Sequence, residues 1–478
     1  MKKNNVLVIM SDEHTRSVMG AYGNAQVHTP TLDKLSNSGV RFEHAYTPSP
    51  ICISARASFA TGTQVFENRC WSSAQPYYGQ QESWMHRLRH QGSEVVSIGK
   101  LHYRSAKDDL GFSDQQHPMY LANQGRGWPQ GLQRSPMPDY PDAAELAAGV
   151  GPGETSYTGY DRNITAASVK WLRDRKISKT EKPWVLFVSF ICPHYPLSAP
   201  EEFYSLYRDM VLPAAYDNDP DQQLKHPVID KMRQFWNYDS FFDEEGRIEA
   251  LRNYYGLCSF LDDNVRQVLE ALEQSSEGDN TQIIYTSDHG DLIGNHGMWC
   301  KSYMYEDSVG IPMTLTGPGI KPGVNKTPVS LVDLASTIES FVTGDIPAER
   351  EAWRGRPLPS FIESPDADRP VLSEYHDGGS PTGFYMLRQG PWKYIYFAEN
   401  NPDLLFNMAD DPQEIHNLAD LAEFVTIKTG LLNTLYSILD PELVNQSVFE
   451  DQAAVIEALG GVEGIRNMKT FNHTPIGS

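Results

Sequence analysis

The chain has 478 residues, of which 40% are hydrophobic and 11% aromatic, so it can bury a large core and is not intrinsically disordered. This length exceeds that of an ordinary single domain and predicts two domains. The formal net charge of -22 excludes a typical nucleic-acid-binding protein, whose contact surface is basic, so no nucleic-acid partner is expected.

The N-terminus and the cysteines predict a cytoplasmic protein. The apolar run that leads to Ser11 and Asp12 is too short, and too soon followed by charge, for a signal peptide. No apolar segment approaches the length that spans a membrane, so no membrane partner is expected. The five cysteines are odd in number and widely scattered, which fits a reducing compartment.

Four short apolar runs each end in polar residues, as buried strands of a parallel sheet do. They are Val6–Met10, Val95–Ile98, Trp184–Cys192 and Gln282–Thr286. Between the last two, the apolar residues of Asn253–Glu273 recur at helical spacing. Alternating strands and helices predict an α/β fold with a parallel sheet covered on both faces, and ligands bind beyond the carboxyl ends of such strands.

The C-terminal part has a different pattern. Phe384–Arg388 and Trp392–Phe397 have period-two character around a turn, which predicts a hairpin, and Asp403–Asn407 could add a further strand. The proline-rich stretch 357–370 predicts a boundary between a larger α/β domain, residues 1–367, and a smaller α+β domain, residues 368–478. The last residues, 460–478, have an irregular composition and could form a disordered tail or an arm that reaches a neighbouring subunit.

The segment Cys52–Gly62 follows a loop bounded by Pro48 and Pro50, and its pattern predicts a helix that begins near the cysteine. Free backbone N–H groups and the helix dipole at such a position favour an anionic nucleophile or a bound oxyanion. A single cysteine is more often a small buried hydrophobic residue. Whether Cys52 is a site residue or a buried hydrophobic residue therefore has to be judged from the polar residues elsewhere in the chain.

Polar side chains at the ends of two predicted strands suit a metal ion. Asp12 follows the first strand, and Asp288 with His289 follows the last, so two carboxylates and an imidazole would meet at one edge of the sheet. Lys100 and His102 lie two residues apart after the second strand, and an extended backbone would point both to the same side.

Two further basic residues, with Arg56 of the cysteine segment, would complete an anion site. His194 lies between Pro193 and Pro196, whose geometry favours an extended backbone, and Lys301 follows a glycine-rich loop. Together with Arg56, Lys100 and His102, they would hold a tetrahedral anion such as sulfate or phosphate around the metal. A small cationic pocket in an acidic protein reconciles an anionic substrate with the net charge.

In combination, these segments resemble the sulfatase family of the alkaline-phosphatase-like superfamily over nearly the whole chain. The branch that holds choline sulfatases and phosphonate monoester hydrolases is the most similar. The resemblance implies a mixed or parallel sheet sandwiched by helices, in a catalytic domain of residues 1–367, with the smaller α+β domain after it. The matching segments are Val6–Asp12, His28–Leu35, Gly39–Phe42, Cys52–Gly62, Gly99–His102, Pro193–Pro196, Ser287–Gly297 with Lys301, and Leu404–Leu418.

The resemblance implies a nucleophile and a metal centre. Cys52 occupies the position that sulfatases oxidise to formylglycine, whose hydrated form attacks the ester. Asp12, modified Cys52, Asp288 and His289 would bind one Ca²⁺ or Mn²⁺ ion. A formylglycine-generating enzyme would be a transient partner, and the branch also implies a homo-oligomer.

The resemblance also implies how the ester is held and cleaved. Arg56 would keep residue 52 and the metal ligands in register, while Lys100 and Lys301 would bind the non-bridging oxygens. His194 would stabilise or protonate the leaving oxygen. His102 would be the base that breaks the covalent intermediate.

Three positions depart from the family pattern. The modification motif usually has Pro or Ala two residues after the cysteine, where this chain has Ser54. Many sulfatases have two metal-binding aspartates at the end of the first strand, whereas here Glu13 follows Asp12 and is left out of the ligand set. An asparagine that contacts the anion in the choline-sulfatase-like branch corresponds here to Ser72 or Ser73.

The favoured function is a cytoplasmic, metal-dependent sulfuric ester hydrolase that acts on a small-molecule ester through formylglycine at position 52. A phosphonate monoester or phosphodiester hydrolase with the same site is the first alternative, because sulfate and phosphate esters share their tetrahedral charge distribution. A catalytically silent binding protein is disfavoured because all the candidate residues are present. A hydrolase that uses the unmodified Cys52 thiolate would lack the second hydroxyl that releases sulfate.

Some residues outside these motifs are candidates for the pocket wall. Trp128, Trp299 and Tyr103 could shape an aromatic pocket for a cationic or aryl leaving group, although packing is the more usual role of such residues. His376 lies where the second domain could contribute to the rim of the pocket.

Overall fold

The structure is a computed structural model, and the residues described are 3–138, 140, 143–175, 182–217, 219–221, 223–345, 354–471 and 473–477. Its strands are β1 Asn5–Asp12, β2 Val40–Phe42, β3 Ala45–Tyr46, β4 Glu94–Lys100, β5 Asp114–Met119, β6 Trp184–Pro193, β7 Thr281–Ser287, β8 Met313–Thr316, β9 Gly323–Asn325, β10 Val329–Ser330, β11 Val371–Tyr375, β12 Phe384–Gln389, β13 Trp392–Phe397 and β14 Leu404–Asn407.

The helices connect and cover these strands. They are α1 Pro30–Ser38, α2 Cys52–Thr61, α3 Val65–Asn68, α4 Trp84–His90, α5 Ala122–Gly125, α6 Ala143–Ala148, α7 Ser156–Asp174, α8 Glu201–Tyr204, α9 Pro227–Phe235, α10 Glu244–Glu273, α11 Glu306–Val309, α12 Asp333–Thr343, α13 Leu358–Glu363, α14 Val425–Ile438, α15 Pro441–Ala458 and α16 Gly461–Arg466.

The main sheet is mixed and has the strand order β5-β4-β6-β1-β7-β8-β2-β9. The strands from β5 to β7 in this order run parallel, and β8 runs antiparallel to both of its neighbours. All four predicted strands are confirmed, and they form the adjacent central strands β4, β6, β1 and β7. Their carboxyl ends therefore meet at one edge of the sheet.

Helices cover both faces of the main sheet, which explains the uninterrupted apolar runs. In β1, Leu7 and Ile9 face a core shared with α1, α7 and α10. Val6, Val8 and Met10 face the other core, which contains residues of α2, α4, α12 and α13. The predicted helix Asn253–Glu273 is confirmed as part of α10, which begins earlier, at Glu244, where the Asp243 side chain accepts a hydrogen bond from the Gly246 N–H.

A second, antiparallel sheet follows with the order β11-β12-β13-β14. The predicted hairpin is β12–β13, the additional strand is β14, and β11 had no prediction. One face of this sheet is covered by α14. The other face packs against Ile51, Cys52 and Ile53, so the smaller sheet covers the start of α2. The predicted fold class, an α/β sandwich with a smaller C-terminal α+β part, is confirmed.

The boundary between residues 1–367 and 368–478 stays a proposal, supported by the start of β11 at Val371. The prediction of an irregular C-terminal tail is wrong for Gly461–Arg466, which form α16, while residues 472 and 478 lie outside the described residues. Among the described helices, no segment combines the length and the apolar character needed to cross a membrane.

Candidate active site

The candidate residues meet beyond the carboxyl ends of the central strands. Asp12 is the last residue of β1, Lys100 is the last residue of β4, and Asp288 directly follows β7. His194 directly follows β6. Because these strands are neighbours, residues far apart in sequence come together, as the sequence predicts.

Arg56 connects these strand ends. It lies one turn after Cys52 in α2, on the same helix face. Its Nε donates to Asp288 Oδ2 at 2.7 Å and its Nη2 donates to Asp12 Oδ2 at 3.1 Å. Its Nη1 donates to the Lys100 carbonyl and to Ser189 Oγ, both at 2.8 Å. The guanidinium thereby fixes one oxygen of each carboxylate.

Four residues form a compact group of metal-ligand atoms. One donor atom each from Asp12, Cys52, Asp288 and His289 lies within 4.8 Å of the others, and all four residues are buried. Cys52 Sγ lies 3.1 Å from His289 Nε2 and 3.6 Å from Asp12 Oδ1. This is the ligand set that the family resemblance implies.

The protonation of His289 fits a metal at this position. Its Nδ1 lies 3.0 Å from the Gly290 carbonyl oxygen, which can only accept a hydrogen bond, so Nδ1 carries the proton. Its Nε2 is then an available ligand, turned toward the two carboxylates at 3.7 and 3.8 Å. Two carboxylates, an imidazole and residue 52 therefore fit a divalent cation.

Two lysines place positive charge beside this group. Lys100 Nζ lies 2.7 Å from Asp12 Oδ2, and Lys301 Nζ lies 3.2 Å from Glu13 Oε2. Burial alone would lower the pKa of Lys301, but neighbouring acidic groups, including Glu13 and Asp12, raise that pKa well above its usual value. Burial alone would raise the pKa of Asp12, but Lys100 and its other cationic neighbours hold that pKa well below its usual value.

His194 and His102 line the pocket above Cys52. The Nδ1 atom of His194 lies 2.7 Å from the Tyr195 carbonyl oxygen, and its Nε2 lies 3.4 Å from Glu13 Oε2. Burial, then the positive charge of nearby lysines, lowers the pKa of both histidines well below the usual value, so both are neutral at pH 7. Neither ring nitrogen of His102 has a hydrogen-bond partner among the described residues.

The local backbone differs from two expectations. His102 has a left-handed conformation with φ of 54°, so the expectation of an extended backbone from Lys100 to His102 is wrong. His194 lies in a bend after β6 rather than in an extended segment. The site still gathers both residues because the strand ends, and not the loop conformations, set their positions.

The environment of Cys52 bears on the thiolate alternative. The residue is 3% exposed, and burial, followed by the charge of Asp12, raises the pKa of its thiol to about 12. The protonated thiol dominates at neutral pH under these conditions. This does not favour a mechanism in which the unmodified thiolate is the nucleophile.

Glu13 is a site residue that the sequence interpretation left out. It is fully buried, its φ is 68°, and its carbonyl oxygen accepts a hydrogen bond from the Tyr254 hydroxyl at 2.6 Å. Its Oε2 faces both Lys301 and His194, while Oε1 has no partner within the described chain. Burial raises the pKa of this carboxyl to about 7. The only sequence indication was the adjacent Asp-Glu pair at a strand end.

The pocket above Cys52 has a polar floor and an aromatic wall. His102, His194 and Lys301 lie at the floor beside Cys52. Farther out, the wall contains several aromatic rings whose centroids lie 4.8 to 6.1 Å apart. These rings belong to Trp128, Tyr140, Trp236 and Tyr238.

Of the residues predicted for the wall or rim of the pocket, one lies there and three lie elsewhere. Trp128 lies in the wall, whereas Tyr103 and Trp299 lie in the two cores of the main sheet. His376 is buried with its Nε2 3.2 Å from Glu374 Oε2 and is not at the rim. The next residue, Asp377, reaches the pocket and accepts a hydrogen bond from the Ser73 N–H, so Ser73 takes part in the wall.

Comparison with known proteins agrees with this geometry. A family profile described as "Sulfatase" matches residues 4–342, and one described as "N-sulphoglucosamine sulphohydrolase, C-terminal" matches residues 294–440. The chain is a member of the sulfatase family. This membership confirms both the predicted family and the predicted enzyme class, a sulfuric ester hydrolase.

Named relatives of this sulfatase agree with the predicted branch. A choline-sulfatase of Rhizobium meliloti is 30% identical over 436 residues, covering 87% of this chain and 83% of the relative. Arylsulfatase K of Danio rerio is 29% identical over 466 residues, covering 93% and 85%. The phosphonate monoester hydrolase of Agrobacterium radiobacter shares the fold, with a TM-score of 0.71, 22% identity, and coverage of 91% of this chain and 95% of the other.

Replacing Glu13 tests how charge is balanced in this sulfatase. At about pH 9, where Glu13 with its pKa of about 7 is ionised, we expect Glu13→Gln to bind inorganic sulfate about tenfold more tightly, because it removes a negative charge from Lys301 and His194. The dissociation constant is measured by isothermal titration calorimetry with sodium sulfate. Glu363→Gln, at an exposed position, is the matched control and should leave it unchanged. Weaker binding in Glu13→Gln would instead show that Glu13 is needed to position Lys301.

Proposed function

We propose that this sulfatase hydrolyses sulfate esters of small molecules through a formylglycine derived from Cys52, with one divalent cation. The observation that carries the proposal is the buried group of Asp12, Cys52, Asp288 and His289, with Lys100 and Lys301 beside it. Ca²⁺ and Mn²⁺ both suit its carboxylate and imidazole donors. A bound cation would lower the pKa of the nucleophile and polarise the ester.

The chain's own residues hold the sulfate group. Lys100 ends β4 and Lys301 lies in the segment after β7, so their side chains would bind the non-bridging oxygens from different parts of the chain. Their charge stabilises the transition state, in which negative charge builds on those oxygens. Arg56 does not reach the ester because its hydrogen bonds go to Asp12, Asp288, Lys100 and Ser189, so its role is to position the others.

Cleavage of the ester requires one proton for the leaving alcohol. At position 52, formylglycine would provide a hydrated aldehyde with one hydroxyl to attack sulfur and a second to expel the sulfate later. The attack would form an O–S bond at residue 52 and break the S–O bond to the alcohol. Because the neutral His194 ring holds its proton at Nδ1, on the Tyr195 carbonyl, Nε2 would accept the proton that the attacking hydroxyl releases and pass it to the leaving oxygen.

Release of sulfate requires a base, and His102 has the properties of one. It is neutral and lines the pocket, and its ring nitrogens have no competing partner among the described residues. His102 would take the proton of the second hydroxyl at residue 52 as the C–O bond to sulfate breaks, which would return the aldehyde. Addition of water would restore the hydrated form.

Hydrolysis of phosphonate monoesters or phosphodiesters is the alternative function. It is supported by the shared fold with a phosphonate monoester hydrolase. The same cations and histidines would serve both reactions, because the two ester classes differ little in shape.

We further propose a cytoplasmic location, with a formylglycine-generating enzyme as a transient partner. The five cysteines are all free and buried, which supports a reducing compartment. The expected homo-oligomer stays a prediction.

Metal binding has a readout that does not depend on activity. We expect Ca²⁺ or Mn²⁺ to raise the unfolding temperature of chelator-treated protein, by stabilisation of about 2.7 kcal/mol at a hundredfold excess over the dissociation constant. Asp288→Asn should abolish this shift, and Asp366→Asn, at an exposed position, should retain it. Differential scanning calorimetry measures both. An equal shift in the two variants would contradict the assigned ligand set.

Mass spectrometry tests the modification directly. We expect the tryptic peptide of residues 42–56, from protein made with the modifying enzyme, to carry a lighter residue at position 52 that reacts with aldehyde reagents. The control is the same protein made without that enzyme. An intact thiol in metal-loaded, fully active protein would exclude the formylglycine mechanism despite the family membership.

Matched substrates separate the two ester classes. The two substrates, 4-nitrophenyl sulfate and the 4-nitrophenyl monoester of phenylphosphonic acid, carry one negative charge and the same leaving group, so they are matched apart from the ester class. We expect a higher kcat/KM for the sulfate because the chain belongs to the sulfatase family. Spectrophotometry of released 4-nitrophenol measures both rates, and Cys52→Ala controls for background hydrolysis. The reverse order of efficiency would favour the phosphonate hydrolase.

A further inference from the structure

The last residues of the chain return to the active site. After α16, residues 467–471 and 473–477 form no regular element; we call these residues the C-terminal strap. Phe471, His473 and Thr474 of the strap line the same pocket as Cys52. The end of the chain therefore supplies part of the wall around the substrate.

Side chains of the larger domain hold the strap by its backbone. Asn123 Nδ2 donates to the Lys469 carbonyl at 2.8 Å, and Gln130 Nε2 donates to the Met468 carbonyl at 2.7 Å. The Tyr157 hydroxyl donates to the Thr474 carbonyl at 2.8 Å. Because these bonds use strap carbonyl groups, they leave the strap side chains available to the pocket.

The strap also contacts the surroundings of His194. The ring centroid of His473 lies 5.1 Å from that of Tyr157 and 6.3 Å from that of Tyr195. Both tyrosines touch His194, Tyr195 by stacking at 4.5 Å and Tyr157 edge-on at 5.9 Å. The strap therefore lies on the side where the leaving group departs, while the metal-ligand group lies on the other.

We propose that the C-terminal strap forms, within its own chain, the wall that contacts the leaving group, and that Phe471 and His473 are specificity-determining residues for ring-bearing alcohols. The inference rests on the proposed function, which places the sulfate group at residue 52. Phe471 completes the aromatic wall that Trp128 and Trp236 begin, and such a surface favours flat rings. The sulfate group is held by strand ends, the start of α2 and Lys301, none of which belongs to the strap. Substitutions in the strap should therefore change the binding of the alcohol part of the substrate and not that of sulfate.

Binding to an inactive background tests the strap. In Cys52→Ala, we compare the intact chain with a truncation after Asn467, which keeps α16, and with Phe471→Ala and His473→Ala. The probes are 4-nitrophenyl sulfate and sodium sulfate, measured by isothermal titration calorimetry. Ile476→Ala is the matched control because this strap residue is exposed and lies outside the pocket lining.

We expect the truncation and Phe471→Ala to weaken binding of 4-nitrophenyl sulfate about tenfold, with a smaller loss in His473→Ala, since contact with an aromatic ring is lost. The affinity for sodium sulfate should stay within about twofold, and Ile476→Ala should change neither affinity. Unchanged binding of 4-nitrophenyl sulfate in all variants would overturn the proposal. An equal loss for both probes would also overturn it, because the strap would then support the whole site.

Kinetic measurements test the role of the strap separately from the proposed function. With residue 52 intact, truncation should lower kcat/KM for 4-nitrophenyl sulfate mainly through KM. Strap-dependent binding without hydrolysis in the intact enzyme would refute the proposed function and leave the strap assignment standing. If full-length Cys52→Ala restores the KM of the truncated enzyme on mixing, the strap acts between subunits, and the assignment within one chain is wrong.

Discussion

Arg56 is the one side chain through which the rest of the site is connected. Its four hydrogen bonds join α2 to the ends of β1 and β4, to a residue within β6 and to the residue that follows β7. Removing one partner of a buried ion pair costs about 3–5 kcal/mol, because the remaining charge is left without a counter-ion. The position of Cys52 therefore follows from the geometry of the sheet rather than from a flexible loop.

The site also balances charge before it meets a substrate. The carboxylates of Asp12, Glu13 and Asp288 lie among the cations of Arg56, Lys100 and Lys301. Once Glu13 is ionised, above its pKa of about 7, these opposite charges are equal in number and leave little net attraction for an anion in a protein of net charge -22. A bound divalent cation would make the site net positive. The metal would then help to bind the anionic substrate as well as to catalyse its hydrolysis.

The sequence predicted the features that depend on strand ends. The four central strands and the cluster of Asp12, Asp288 and His289 follow from apolar runs that stop at polar residues, and the helix start at Cys52 follows from the proline-bounded loop before it. Features that depend on tertiary packing were missed. Nothing in its local pattern indicates that Glu13 is fully buried, since a glutamate after a strand is ordinarily exposed.

The conformation of the loops was equally hard to predict. The left-handed backbone at His102 has no sequence cue, because glycine is the residue that usually adopts it. Asp377 and the strap reach the pocket from parts of the chain distant from every motif, through the packing of the smaller sheet over Ile51 and Ile53 and the hydrogen bonds to the strap carbonyls. The family resemblance predicted the roles of the site residues. The residues that surround them could be identified only from the folded structure.

The burial of Cys52 has a consequence for how the enzyme is made. Every residue of α2 is buried, and the smaller sheet that covers its start comes from residues translated after position 370. If Cys52 is modified as proposed, the modifying enzyme has to reach it before the segment is buried, and at roughly 5–20 residues per second the interval before the cover exists is on the order of tens of seconds. The fraction of active molecules in a cell would then depend on whether modification or folding is faster during synthesis. Refolding the mature protein would not change that fraction.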